Sequence, residues 1–204
     1  MMKIQKLDID SHDTKKVSEL IYETDEDLFL TVLDKDSEKA VEKLQNIVET
    51  GKNPYGHENI QVASNGNHEV LGILTAFKGE DVRHAEEIKS YFRAVNFNNF
   101  LKLALVKPVI DRMVAFAEVK DEDYYIGNIA VDEDLRGDGI GSELLQKAKK
   151  DAKDRGCNRI ILDVLFSNER VVPWYESHGF EVCGKKSAKK FGINEGTFGM
   201  EYKL

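Results

Sequence analysis

The stretch RGDGIGS, residues 136–142, places three glycines in five positions between two runs of regular secondary structure. The run before it, YIGNIAV at 125–131, has the composition of a strand, and ELLQKAKKDAKDRG at 143–156 has the periodicity of a helix. Glycines at such a corner let a ligand approach closely, and the first amide groups of the helix point outward, where the helix dipole favours an anion. We interpret the corner as a phosphate-binding loop, with an unliganded tight turn as the alternative.

The spacing of this corner excludes two common phosphate-binding motifs. A P-loop requires Gly-Lys-Ser/Thr after four intervening residues, and the dinucleotide fingerprint requires a third glycine where Ser142 stands. Arg136 adds a permanent positive charge at the corner, which suits a diphosphate.

The chain around the corner alternates strands with helices. From about Tyr124 the predicted order is strand, helix, strand, helix, strand, strand, and RIILDVLF at 159–166 is the near-continuous apolar run of a strand covered on both faces. The intervening helix turns its apolar residues inward, namely Leu144, Leu145, Ala148 and Ala152. This pattern predicts a parallel βαβ unit within an α/β (α+β) fold, in which helices flank a mixed central sheet.

The first part of the chain predicts one strand and two helices. KIQKLDI, residues 3–9, alternates like a short strand. Ser11 or Asp13 caps the first helix, and Ser37 caps a second helix that ends at Gly51.

A hairpin and a long helical segment follow. The segments 59–64 and 69–77 flank the turn-rich sequence NGNH and predict a β-hairpin. From 81 to 116 the periodicity becomes helical, with a kink or restart near Pro108. Because the chain has no internal repeat or linker, residues 1–204 are interpreted as one domain, with 81–116 as a helical insertion.

Composition and charge limit the classes of function. The 204 residues include 41% hydrophobic and 32% charged residues, which is typical of one globular core. A net charge of −8 argues against general nucleic-acid binding, which depends on phosphate neutralisation. The chain has no leader-like or membrane-spanning apolar segment, which favours a cytoplasmic protein. Cys157 and Cys183 are interpreted as buried apolar residues, and the histidines lack metal-ligand spacing.

A second motif lies downstream of the apolar strand. In NERVVPWYESHGF, residues 168–180, Tyr175 lies on a short helix that Gly179 ends. The strand NIAV, the motif R-G-x-G-I-G and, about 26 residues later, N-x-x-V-x-x-W-Y-E-x-x-G-F together resemble the GNAT superfamily of acyl-CoA-dependent N-acetyltransferases. The resemblance covers about residues 120–204, and the first half of the chain matches in outline only.

The resemblance implies a role for each matching position. The strand at 125–131 would part from its parallel neighbour at 159–166, so that the pantetheine arm of acetyl-CoA could insert and pair with backbone groups of 129–131. Asn168 would touch the pantetheine arm, and Tyr175 would be the general acid. The cofactor-binding residues that the resemblance implies are Ile129, Ala130, Val131, Arg136, Gly137, Gly139, Ile140, Gly141, Ser142 and Asn168.

The chemistry of acetyl transfer makes three demands. The site needs a neutral amine, a hydrogen-bond donor for the developing oxyanion and a proton for the departing thiolate. A phenol with a pKa of about 10 can protonate a thiolate whose thiol has a pKa of about 8.5 after modest tuning. Tyr175 therefore suits the role of acid, and the alternative is a core aromatic residue with its hydroxyl at the surface. A backbone amide near Ile129 or Ala130 suits the oxyanion.

The group that accepts the proton of the amine is left open by the sequence. Many members of the resembled family carry a glutamate early in the strand before the glycine corner, whereas this chain has Tyr125 and Asn128 there. Glu118, Glu122 and Asp123 are candidates upstream, and a chain of water molecules is an equal alternative.

The helical segment at 81–116 is longer than a simple connection, and we expect it to shape the acceptor pocket. Core packing or a homodimer contact explains its aromatic residues equally well. These residues are Tyr91, Phe92, Phe97 and Phe100. The lysines of GKKSAKK, residues 184–190, are expected in a solvated loop, with contact to the ribose phosphate of the cofactor as the alternative.

The sequence thus predicts direct transfer of an acetyl group from acetyl-CoA to a primary amine of a small molecule, with no metal. No cysteine or serine is placed as an obvious acyl-carrying nucleophile. One alternative is acetylation of a protein amino terminus or lysine, which predicts an open peptide groove. The other alternative is a non-catalytic acyl-CoA sensor.

Overall fold

A mixed β-sheet organises the molecule, as the sequence predicted. The structure is a computed structural model that describes residues 2–190 and 193–204. The strands are β1 (Lys3–Lys6), β2 (Ile60–Ser64), β3 (Val70–Lys78), β4 (Asp123–Val131), β5 (Arg159–Leu165), β6 (Glu181–Lys190) and β7 (Ile193–Lys203). Their order in the sheet is β1-β2-β3-β4-β5-β7-β6, and β4 pairs with β5 in parallel while the other described pairs are antiparallel.

Helices cover both faces of the sheet. They are α1 (Thr14–Tyr22), α2 (Glu26–Val32), α3 (Ser37–Thr50), α4 (His84–Ala94), α5 (Phe97–Met113), α6 (Ile140–Asp154) and α7 (Val172–Ser177). One core lies between α1–α5 and the sheet and contains the fully buried Leu20, Leu44 and Ile73. The second core lies under α6 and α7 and contains Leu144 and Ile160. No helix in the described ranges is long and apolar enough to span a membrane.

Three aspartates start the first three helices. The side chains of Asp13, Asp25 and Asp36 accept hydrogen bonds from the first-turn amides of α1, α2 and α3, respectively. The predicted cap at Asp13 and the predicted helix end at Gly51 are confirmed. The cap at Ser37 is wrong by one residue, and α2 adds a third helix because seven residues give too short a pattern to detect.

The helical segment restarts earlier than the sequence indicated. Helix α4 ends at Ala94, and the backbone of the next residue, Val95, is extended. The Asn96 side chain then accepts a hydrogen bond from Asn99 N at 3.0 Å and begins α5. Pro108 lies inside α5, which continues to Met113. A capping side chain therefore decided the restart, and the missing amide of proline did not end the helix.

The βαβ unit and the hairpin are confirmed, whereas two expectations about β6 are wrong. Residues 184–190 belong to this strand and are not a loop, and Lys185 Nζ lies 4.7 Å from the ring centroid of Phe166. Cys183 is exposed because β6 is an edge strand, although its Sγ donates a hydrogen bond to Gly199 O at 3.4 Å. Cys157 is buried, as expected.

Replacing Arg159 with leucine is expected to lower the free energy of unfolding by about 3 kcal/mol. Arg159 donates to both oxygens of Asp123, at 2.7 and 3.0 Å, and to Glu201 at 2.8 Å, which ties β4, β5 and β7 together. Asp123 is only 1% exposed, so the substitution leaves a buried carboxylate without its cation. Urea denaturation measures the change. The control is Lys150→Ala, which breaks an exposed pair with Asp154 and should leave stability unchanged. Equal effects of both substitutions would contradict the prediction.

Candidate functional site

The glycine corner presents a set of unpartnered backbone amides at the start of α6. Gly137 and Gly139 have φ of 102° and 86°, a conformation that glycine adopts without strain, and the first helical hydrogen bond runs from Glu143 N to Gly139 O at 3.0 Å. No acceptor in the described chain receives a hydrogen bond from the amides of Gly137, Gly139, Ile140, Gly141 or Ser142. Because residues 136–139 are exposed, these amides and the helix dipole suit an anionic ligand.

Two side chains at this corner already have partners in the protein. Arg136 donates to Glu23 Oε2 at 2.9 Å and to Val131 O at 3.1 Å. The Ser142 hydroxyl lies 3.1 Å from His178 Nε2. An anion at this corner would therefore meet chiefly backbone amides, and Arg136 could contribute only after exchanging its present partners.

The strands β4 and β5 stop pairing toward the same corner. Their parallel pairing ends at Ile126 and Leu162, whereas β4 remains paired with β3 as far as Val131. An extra residue in β4, Gly127, forms a β-bulge at the point where pairing with β5 ends, and bulges bend a strand away from its neighbour. The β5-facing edge of residues 127–131 thus lacks a strand partner. This edge includes the three residues that the resemblance assigned to pantetheine.

Tyr175 lies on α7, beside this gap. Its ring packs against those of Trp174 and Phe180, with centroids 4.8 and 5.6 Å away, and burial raises the pKa of its phenol. Burial and the Asp163 carboxylate raise the pKa of Tyr125 on β4. The Tyr175 hydroxyl has no hydrogen-bond partner in the part of the chain that the structure describes.

Asn168 lies just beyond the end of β5, in the short 3-10 segment Phe166–Val171. Its backbone is not helical, with φ −115° and ψ 25°, and its Oδ1 accepts a weak hydrogen bond from Arg170 at 3.4 Å. This position is at the same end of β5 as the gap. Contact between Asn168 and the pantetheine arm stays a prediction.

Two buried oxygens on the face opposite α6 lack hydrogen-bond partners. They are Thr75 Oγ1 and Asn128 Oδ1, which belong to directly paired residues of β3 and β4, next to the bulge. The amide nitrogen of Asn128 donates to Thr24 Oγ1, at the turn between α1 and α2, at 2.7 Å. Because buried polar atoms are nearly always hydrogen-bonded, this pair of oxygens is suited to a ligand that donates hydrogen bonds, such as an amine.

Asp163 on β5 is a carboxylate that sequence reasoning missed. It follows Leu162, the last residue of β5 paired with β4, and accepts hydrogen bonds from Thr197 at 2.6 Å and Ala115 N at 2.6 Å. The Tyr125 hydroxyl donates to its second oxygen at 3.4 Å. Burial raises the pKa of this carboxyl against the opposing effect of its hydrogen bonds. A signal was available, because an aspartate interrupts the otherwise apolar run RIILDVL.

The helical insertion covers the face of the sheet that carries Asn128 and Asp163. Helix α4 packs on α3, and α5 reaches from α2 to β6 and β7. Tyr91 and Phe100 pack against the core, whereas Phe92 and Phe97 are 57% and 66% exposed and do not line a pocket. Tyr91 and Phe92 point in different directions because neighbouring helical positions are about 100° apart. Other large apolar side chains of this segment are also exposed: Ile88, Leu101 and Leu105.

The described ranges contain no group of three or more His, Cys, Asp or Glu side chains that could hold a metal ion. The candidate bases proposed from sequence do not gather at the gap. Asp123 is at the far end of β4, bound to Arg159, and Glu118 and Glu122 lie in the segment before that strand. The chemistry available near the gap is therefore that of two phenols, one carboxylate, orphaned side-chain oxygens and backbone amides.

Known proteins resemble this chain in sequence and in fold. A sequence model described as the acetyltransferase (GNAT) family matches residues 21–180. A thialysine N-epsilon-acetyltransferase of Bos taurus is 34% identical over 65 residues, which are 32% of this chain and 38% of that protein. A ribosomal protein bS18 alanine N-acetyltransferase of Salmonella typhimurium is 39% identical over 72 residues, 34% of this chain and 49% of the relative. The alignments thus span half or less of these two relatives.

Solved structures share the whole fold. An N-acetyltransferase from Staphylococcus aureus Mu50 superposes with a TM-score of 0.66 at 18% identity, covering 98% of this chain and 100% of the other. A GNAT family acetyltransferase from Elizabethkingia anophelis, with acetyl-CoA bound, superposes with a TM-score of 0.57 at 14% identity, covering 100% and 98%. At these identities the likeness concerns the fold.

Proposed function

Because the chain belongs to the acetyltransferase (GNAT) family, we propose that it transfers the acetyl group of acetyl-CoA to the primary amine of a small molecule. One observation carries the proposal: the unpaired edge of β4 leads directly to the unpartnered amides at the start of α6. A ligand with an extended amide-containing arm and a diphosphate needs these two features in this order.

The donor would bind mainly through the backbone. The pantetheine arm would pair with the β4 edge at Ile129, Ala130 and Val131, as an added strand does. The diphosphate would accept hydrogen bonds from the amides of Gly137 and residues 139–142, with no metal, whereas the Asp138 amide already donates to Leu135 O. Glu23, which lies beside this corner, forms an ion pair with Arg136 at 2.9 Å.

The acceptor side supports a small amine over a peptide. Helix α5 spans from α2 to β6 and β7 across the face that carries Asn128 and Asp163. Tyr91 of α4 packs against the core beneath the same helical insertion to which it belongs. An extended peptide would need an open groove across this face. The enclosing insertion instead suits a compact acceptor whose amine reaches the gap.

The reaction we propose is direct attack of the amine on the thioester. Burial of Cys157 and partial burial of the Cys183 sulfur, which donates to Gly199 O, raise the pKa of both thiols and leave less of the nucleophilic thiolate form. Tyr175 would donate a proton to the departing thiolate, and a backbone amide near Ile129 or Ala130 would bind the oxyanion. No acyl-enzyme intermediate is then required. Homodimer formation and a cytoplasmic location stay predictions from the sequence.

Calorimetric titration with acetyl-CoA, followed by assays of CoA thiol release, tests the proposal. The acceptors are thialysine and a peptide that begins with alanine, chosen from the names of the two relatives described above. We expect binding of acetyl-CoA and faster turnover of thialysine than of the peptide. Faster turnover of the peptide would favour a protein acetyltransferase, and binding without any turnover would favour a sensor.

A further inference from the structure

The gap between β4 and β5 has no free carboxylate on β4. The β4 residues next to the bulge are Tyr125, Ile126, Gly127 and Asn128, and the strand's one acidic residue, Asp123, is held by Arg159. Asp163 on β5 stands opposite the bulge, one residue beyond the last β4–β5 pair. A carboxylate is thus present at the position where amine chemistry requires a proton acceptor, but it comes from the neighbouring strand.

Tyr125 connects this carboxylate to the gap. Parallel pairing places Tyr125 beside Ile161, two residues before Asp163 on the same face of β5, and the phenol reaches forward to Asp163 Oδ2 at 3.4 Å. Tyr125 therefore links the Asp163 carboxylate to the residues of β4 just before the point where β4 and β5 part.

We propose that Asp163 is the proton acceptor for the amine, acting through the hydroxyl of Tyr125; this inference rests on the proposed function. As the amine nitrogen bonds to the thioester carbon, its proton passes to the Tyr125 oxygen while the Tyr125 proton passes to Asp163. The C–S bond then breaks, its electron pair leaves with sulfur, and the thiolate takes a proton from Tyr175. Exchange with solvent returns Asp163 and Tyr175 to their starting states.

The orphaned oxygens of Thr75 and Asn128 fit the same step. They lie on the face that carries Tyr125 and Asp163, because Thr75 alternates with Phe77, the cross-strand partner of Tyr125. A primary amine has N–H groups to spare, and these two acceptors would orient its lone pair toward the thioester. The amine is held by β3 and β4 while its proton leaves toward β5.

The other charged groups near Asp163 are accounted for. Arg159, on the same strand, is bound to Asp123 and Glu201, and Cys183 approaches from β6. From β7 the carboxylate meets the Thr197 hydroxyl, and from the end of α5 it meets backbone amides of residues 115 and 116. No cation in the described ranges forms an ion pair with Asp163, which leaves the carboxylate available as a base.

The test compares Asp163→Asn and Tyr125→Phe with the wild type over pH 5–9, using thialysine and, in parallel, n-butylamine as acceptors. Asparagine keeps one oxygen, which can still accept from Ala115 N and the Thr197 hydroxyl, the two shortest of these hydrogen bonds, so acetyl-CoA affinity and melting temperature should stay near those of the wild type. We expect kcat/KM to fall about 100-fold in each variant and no further in the double variant, because the two groups act as a unit.

The pH profile separates proton acceptance from a structural role. In the wild type, log kcat/KM should fall as the pH decreases. Its slope against pH should be 1 while only the amine gains a proton, and 2 below the pKa of Asp163, where the carboxylate gains one as well. In Asp163→Asn the slope should remain 1. Asp154→Asn, on the exposed end of α6, is the control and should keep the wild-type profile.

Three results would overturn the inference. The first is a kcat/KM in either variant that equals that of the wild type. The second is a reduced kcat/KM in Asp163→Asn with the slope of 2 retained, because Asp163 would then only hold the end of the insertion in place. If Asp163→Asn fails to fold, Tyr125→Phe decides alone, because it leaves every backbone bond to the carboxylate intact. Absence of turnover by the wild type with every amine would remove the proposed function itself, and with it this inference.

Discussion

Replacing Gly139 with glutamate is expected to weaken acetyl-CoA binding by about 1000-fold, which corresponds to about 4 kcal/mol. Gly139 precedes the first residue of α6 and has φ of 86°, so a side chain there strains the backbone that aims the amides of the corner. No atom lies within 4 Å of the position of its Cβ, which means that the glutamate would extend over the loop. Its negative charge would stand where the diphosphate is expected.

Gly156 offers a matched control for this substitution. It has φ of 67° and open space around its Cβ position, but it follows the other end of α6. Gly156→Glu therefore imposes a similar backbone strain and the same charge at a distance from the corner. Isothermal titration should show wild-type affinity for Gly156→Glu and none measurable for Gly139→Glu. Equal affinities of the two variants for acetyl-CoA would indicate that the glycine corner is an unliganded turn.

Replacing Tyr175 with phenylalanine is expected to lower kcat about 1000-fold while leaving the Kd for acetyl-CoA within about threefold of the wild type. The hydroxyl makes no hydrogen bond in the described structure, and phenylalanine keeps the ring contacts with Trp174 and Phe180. The fold should therefore survive the change. The loss falls on kcat because the proton is needed only when the C–S bond breaks.

The raised pKa of Tyr175 sets the pH range of this effect. A phenol normally ionises near pH 10, and burial of Tyr175 moves its pKa upward, so the acid stays protonated throughout the neutral and mildly alkaline range. We expect wild-type kcat to show no alkaline decline below about pH 10. The same burial raises the pKa of the departing thiol, which keeps proton transfer from phenol to thiolate feasible. A kcat in Tyr175→Phe equal to the wild type would exclude Tyr175 as the acid.

Local sequence signals predicted the elements whose causes are local. The cap at Asp13, the turn NGNH, the glycine at the end of α3 and the apolar stripe of α6 each act within a few residues, and each prediction was confirmed. Two of the errors arose where another interaction outweighed the signal used for the prediction. Pro108 looked like a helix break, but Asn96 supplied the cap that begins α5, and the lysine-rich segment joined an edge strand through pairing with β7.

The candidate site divides in the same way. The glycines of residues 136–142 and the downstream Tyr175 belong to sequence motifs, so the sequence alone identified them as individual site candidates. The sequence did not single out Asp163, because RIILDVL is a plausible buried strand with or without its one acidic residue. Its significance depends on Tyr125, Ala115 and Thr197, which are 38, 48 and 34 positions away in the chain.

By itself, the sequence determined the family, the order of the strands and of all helices except α2, and the glycine corner between β4 and α6. These depend on residue type and spacing along the chain, through backbone freedom, helix periodicity and strand alternation. Only the tertiary structure decided where β4 and β5 part, which aromatic residues of the insertion face inward, and which carboxylate stands at the gap. Those properties depend on contacts between residues far apart in the chain, and spacing along the sequence carries no direct information about such contacts.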